Sequence, residues 1–96
     1  MSFTKSGVNG FVPSNAYAWY ATTSRCNDFN VRLWSGYGTQ EINWCWRTAE
    51  ASWDCQERWT KVGQSWTAVA TNVKDGTHSK IQFRDNKARV KGSLAF

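Results

Sequence analysis

Few residues in this chain could do chemistry. They are a single histidine (His78), three cysteines (Cys26, Cys45 and Cys55) and a pair of nearby carboxylates, Asp54 and Glu57. His78 lies beside a turn, with no serine or cysteine in a nucleophile context, and no glycine-rich phosphate loop follows a strand. Asp54 and Glu57 could serve as acid and base on a glycoside only at a fixed separation, and a domain of 96 residues leaves little room for the cleft between them. The cysteines contain no CxxC pair, and one histidine does not complete a zinc set. The sequence therefore predicts no catalytic residues, no metal, no cofactor and no enzyme.

What the side chains can do is bind. The chain carries seven Trp, three Tyr and five Phe, and a formal charge of +5. Read at period two, Trp34 and Tyr20 fall on outward positions, while Tyr37 sits between Gly36 and Gly38 at a loop tip with little around it to bury a ring. These three are the expected ligand-binding rings, a platform for the flat face of a sugar or a similar ligand. Glu57 is a fourth candidate, because alternation with Cys55 and Trp59 lands it on an inner face, where a carboxylate is costly unless paired or turned outward by a bulge. The charge is uneven. Residues 1 to 60 balance, and the excess lies in the last 36, where seven Lys and Arg oppose Asp75 and Asp85. A final hairpin would set Lys80 and Arg84 opposite Lys91, Arg89 and Lys87, a like-charged face suited to an anionic partner. No ring falls among those cations, which argues against sequence-specific nucleic acid, where bases stack on aromatic side chains.

The elements that must hold these residues are strands. Composition is rich in Trp, Tyr, Thr and Val and lacks long Leu/Ala/Glu/Lys runs, so the expected class is all-β. The organising stretch is Gln40 to Trp59, read as a hairpin with two competing registers. In the first, Trp46 faces Trp53, Trp44 faces Cys55 and Glu41 faces Arg58. In the second, one residue over, Cys45 faces Cys55 and Trp46 faces Asp54. The hydrophobic pattern favours the first, since a one-residue slip swaps the faces of a strand. A hairpin at Ser35–Gly38 agrees with it by setting Arg32 against Glu41. Together the registers place Tyr17, Trp19, Phe29, Trp44, Trp46, Trp53, Trp59 and Trp66 on one inner face, where filling a core is the plainer use of rings.

Further turns are expected at Lys61–Gln64, at Asp75-Gly76 (the strongest short hairpin signal) and at Asp85-Asn86. The result is one domain over 1–96, with 1–14 an irregular N-terminal segment. It is an antiparallel meander of about seven strands, closed as a small barrel or folded as a two-layer sandwich. No apolar run is long enough to span a membrane as a helix. The odd cysteine number and the basic, Trp-rich composition point to a secreted protein with at most one disulfide, drawn from Cys26–Cys45, Cys26–Cys55 or Cys45–Cys55. Three functions fit: a binding module for carbohydrate or an anionic cell-surface polymer, a cationic antimicrobial or toxin-like effector on an anionic envelope, and a protein-binding inhibitor presenting the Tyr37 loop. The sequence leaves the oligomeric state open.

Overall fold

The computed structural model describes residues 1–7, 10–14, 17–23, 28–49, 52–85 and 87–96. Among them the regular elements are all strands: β1 (Ser2–Lys5), β2 (Phe11–Val12), β3 (Tyr20–Ala21), β4 (Phe29–Leu33), β5 (Gln40–Ala49), β6 (Ser52–Cys55), β7 (Thr60–Val62), β8 (Thr67–Ala70), β9 (His78–Phe83) and β10 (Val90–Ala95). The class is the expected one. No helix among these residues is long and apolar enough to cross a membrane. Alternation is the local cause: in β4, Phe29, Val31 and Leu33 are buried while Asn30 and Arg32 are not, and β10 buries Val90, Gly92 and Leu94 in the same way.

The connectivity differs from a meander. One sheet has the order β1-β10-β4-β8; the other runs β2-β9-β5-β6, with β3 also on β9 and β7 also on β5. Every pairing is antiparallel. The links from β4 to β5, β7 to β8, β8 to β9 and β9 to β10 each cross from one sheet to the other. The strands expected to pair as hairpins across Ser35–Gly38, Asp75-Gly76 and Asp85-Asn86 are therefore not neighbours: β4, β8 and β10 lie in one sheet, β5 and β9 in the other. The turns themselves form where glycine permits: Gly36, Gly38 and Gly76 all take positive φ. Alternation dictates which face a residue presents, but not which distant strand lies beside it. Phe3, Phe29, Val31, Leu33, Val69, Val90 and Leu94 from one sheet meet Val12, Ile42, Val62, Ile81 and Phe83 from the other in a single core, the arrangement of a two-layer sandwich. The Leu33 amide donates to the Gly63 carbonyl at 2.7 Å, tying the layers at one corner. At Gly92 the ring of Phe3 lies so close that an added Cβ would come within 2.8 Å of it, so only glycine fits.

The β5–β6 hairpin takes the second register. Cys45 pairs with Cys55, Trp46 with Asp54 and Arg47 with Trp53, and Cys45 and Cys55 form a disulfide. Cross-strand side-chain preferences are worth about 0.2–1 kcal/mol each, less than the roughly 2–4 kcal/mol of a typical disulfide, so the covalent bond decides. Trp53 consequently leaves the face of Trp44 and Trp46. The Arg32–Glu41–Arg58 alignment is broken as well: Arg32 pairs with Ser93, Glu41 pairs with Lys61, and the Glu41 carboxylate accepts from Arg84 Nη1 at 3.2 Å. No tryptophan is fully buried; the core is aliphatic and Phe, and Tyr17 and Trp66, expected inside, are exposed. The N-terminal segment supplies β1 and β2, each at a sheet edge. Cys26 and the expected turn residue Asn86 lie outside the described residues.

Candidate binding surface

The outer face of the four-stranded sheet is built by the same alternation that fills the core. With Val31 and Leu33 directed inward, Arg32 faces outward, and Trp34 follows it where β4 ends. Trp34 is held in place: its backbone amide donates to the Lys91 carbonyl at 3.0 Å, and its indole Nε1–H donates to Ser93 Oγ at 2.9 Å. The Arg32 guanidinium lies 5.0 Å from the centre of the Trp66 ring, a cation–π contact. Trp34 and Trp66 are 41% and 49% exposed, the two most exposed tryptophans of the described chain. Arg32, Trp34, Ser35 and Gln64 line a shallow cleft of about 240 Å³ between these elements. Two open indoles with a guanidinium and two hydroxyl or amide groups beside them can offer both a stacking face and hydrogen bonds.

The other expected ring positions are placed differently. Tyr37 is not free at a loop tip, and Tyr20 is not an outer-face ring; both pack against the core. The Tyr20 ring meets Phe96 at 5.5 Å and Phe29 at 6.5 Å, and burial pushes its phenol pKa up. Glu57 is exposed in the bend after β6 rather than on the inner face. The cause is local, because pairing breaks after Cys55 and resumes at Thr60. Gln56 turns in instead: its Oε1 accepts from the Trp44 amide at 3.2 Å, and its carbonyl accepts from Asn43 Nδ2 at 2.9 Å.

The cationic hairpin is not formed, because β9 and β10 belong to different sheets. Lys80 is 2% exposed. Its ammonium donates to the Pro13 carbonyl at 3.1 Å and lies 4.8 Å from the centre of the Trp53 ring, and burial lowers its pKa. Arg84 is exposed but paired with Glu41 and lies 6.0 Å from the Trp59 ring. Lys87 and Arg89 are exposed on the β9–β10 connection, and Lys91 is half-buried on β10. Cations and rings thus interleave, contrary to the expected separation: Arg47 on Trp19, Arg32 on Trp66, Lys80 on Trp53 and Arg84 on Trp59. With rings among the cations, the face no longer argues against stacking of bases.

Sequence reasoning missed Arg32 as a residue of the Trp34 cleft and as the partner of Trp66. Arg32 was already legible as an outward position; Trp66 was not, although the polar Gln64-Ser65 before it is the one signal of exposure. Lys5, buried beneath Phe83, gave no sign. Among the described residues no group of three or more His, Cys, Asp and Glu side chains could hold a metal ion. Compared with protein-family models, curated proteins and solved structures, the chain matches none of them.

Proposed function

We propose that this protein is a secreted binding module that recognises carbohydrate or a cell-surface polymer through the face bearing Trp34, Arg32 and Trp66. The observation that carries the reading is the pair of open indoles on either side of an outward arginine on one sheet. Exposed aromatic side chains lose little rotamer freedom on contact and serve as anchors where one face of the ligand is apolar. Fixing Trp34 through Ser93 removes part of the ordering cost in advance. The cationic-effector alternative draws its support from Lys87, Arg89, Lys61 and Lys74, all exposed, but loses Lys80 to burial and Arg84 to its ion pair. The inhibitor alternative loses its Tyr37 tip.

The test is a pulldown on insoluble cell-wall polysaccharides with Trp34→Ala and Trp66→Ala. Each should weaken retention about tenfold or more, the usual scale for an aromatic anchor, with the melting temperature nearly unchanged because exposed substitutions stay within about 0.5 kcal/mol. Normal retention by both variants would refute the placement.

A further inference from the structure

We propose that Arg47 and His78 form a binding site for a tetrahedral oxyanion, a sulfate or phosphate group, which is taken up together with a proton. The site lies on the outward side of the six-stranded sheet and is independent of the Trp34 surface. Along β5 the inward positions are Ile42, Trp44 and Trp46, so Arg47 projects from the opposite side, where it pairs with Trp53 of β6. Its guanidinium lies 4.7 Å from the centre of the Trp19 ring, and the His78 ring stacks on Trp19 at 4.3 Å with 13° between planes. Arg47 Nη1 and His78 Nδ1 are 3.4 Å apart. These contacts hold the arginine and the histidine side by side against one indole.

The pair borders a hollow of about 440 Å³, lined also by Thr48, Ala49, Gly76 and Thr77. None of the lining residues is a carboxylate. The Thr77 hydroxyl donates to the Lys74 carbonyl and its amide to Thr22 Oγ1, so the free donors are those of Arg47 and His78. Arg47 Nε is taken by the Ala49 carbonyl at 3.3 Å and one N–H of Nη1 points to His78; of its five N–H bonds three remain. Other charges do not answer it. Lys80, two residues along β9, has its ammonium on the Pro13 carbonyl and the Trp53 ring. Asp54 of β6 pairs with Trp46 and so faces the other side, while Lys74 and Asp75 are exposed on the β8–β9 connection. On β3, Ala21 pairs with His78 and Tyr20 packs on Phe29 and Phe96.

The 3.4 Å separation is longer than the usual N–H···O range of about 2.7–3.2 Å. An oxygen about 2.8 Å from each nitrogen fits between them, the ordinary distance for a charge-assisted bond. Both nitrogens then donate, so Nδ1 carries a proton that it lacks when it accepts from Arg47. The charged imidazolium is the form that an adjoining anion and the Trp19 face both favour. A tetrahedral group on an ester has three free oxygens, enough to meet the remaining guanidinium donors and His78 together; a carboxylate has two, which the guanidinium alone can occupy.

The test follows the ring signals of His78, the chain's single histidine, and the Trp19 indole N–H in ¹H–¹⁵N NMR as sodium sulfate replaces sodium chloride at constant ionic strength. Sulfate keeps its double charge across the range used, so any pH dependence belongs to the protein. Both signals should shift saturably while those of Trp34 and Trp66 stay in place. Because the bound state holds the added proton, sulfate should move the His78 titration to higher pH, and affinity should fall about tenfold between roughly pH 5.5 and 7.5, where histidine ordinarily gives up its proton. Acetate should bind about tenfold more weakly than sulfate. The ranking of sulfate against methyl sulfate tells a free ion from an esterified group, and either order supports the site. Arg47→Gln should lose binding. His78→Asn should bind more weakly and with no dependence on pH, a readout that stands even if Arg47→Gln fails to fold. No saturable shift, an affinity flat in pH, acetate equal to sulfate, unchanged binding in Arg47→Gln, or a pH dependence that survives in His78→Asn would each overturn the proposal. Trp34 and Trp66 are read in the same spectrum, so failure here is distinguishable from failure at the outer face.

Discussion

Two lysines are inside, Lys80 on a face the sequence reads as outward and Lys5 on the inward face of β1 that it shares with Phe3. Lys5 Nζ donates to the Ser6 carbonyl at 3.0 Å and to the Ala88 carbonyl, and sits 5.6 Å from the Phe83 ring; Lys80 is held by Pro13 and Trp53. Burial lowers the pKa of both from the ordinary 10.5, with Asp85 partly opposing it at Lys5. In the window between the folded pKa and 10.5 the unfolded chain binds more protons than the folded one, so stability rises with pH there. Below that window both states are protonated and the cost of the buried charges is fully present. Tyr20 works in the opposite sense: its raised pKa contributes stability that is intact below 10.0 and is lost as pH climbs through the folded value. Stability measured by urea unfolding should therefore increase from neutral pH to about pH 10 and fall beyond. Lys80→Met keeps the stem and removes the charge, so its curve should rise less. An identical rise in the variant would mean that Lys80 does not titrate in a buried environment.

The β5–β6 hairpin is where legibility in the sequence was most finely divided. Both registers were visible from Ile42 to Cys55, and the rule that hydrophobic residues share a face selected the wrong one, because Trp53 gains more from lying over Lys80 and carrying Cys55 to Cys45 than from joining Trp46. Periodicity cannot weigh a covalent bond or a cation. β5 itself is fixed from its other side, where Trp44 pairs with Ile81 and Cys45 with Lys80 on β9; β6 is the edge strand. Reducing the disulfide, which closes a sequence separation of 10 residues, should cost about 2–3 kcal/mol on the chain-entropy account. Amide exchange should quicken at Ser52–Cys55 and stay slow at the β5–β9 pairing. Equal loss of protection on both sides of β5 would mean that the disulfide supports the whole sheet and not its edge alone.

At the scale of the whole molecule, the inward residues Phe29, Val31, Leu33, Ile42, Ile81, Phe83, Val90 and Leu94 were legible one by one, and the glycine turns with them. Which strand lies beside which was not, since it depends on contacts between distant segments that no local pattern encodes. That single gap also moved the charge. With β9 and β10 in separate sheets, the net +5 is dispersed: Lys80 is interior, Arg84 is neutralised by Glu41, and Lys87 and Arg89 occupy a connection instead of a cationic stripe. A polymer docked on Trp34 and Trp66 meets Arg32 and few other cations. Retention on a neutral polysaccharide should then change by less than about twofold between roughly 0.1 M and 1 M salt, where the Debye length falls from about 10 Å to 3 Å. An envelope-directed cationic effector would lose most of its affinity over the same range, because long-range attraction to an anionic surface is what salt screens. A tenfold or greater loss on the neutral polymer, read by the same pulldown with the Trp34→Ala variant alongside, would shift the function toward the effector. Unchanged retention that vanishes in Trp34→Ala would place recognition in the rings, with the charge serving solubility and encounter.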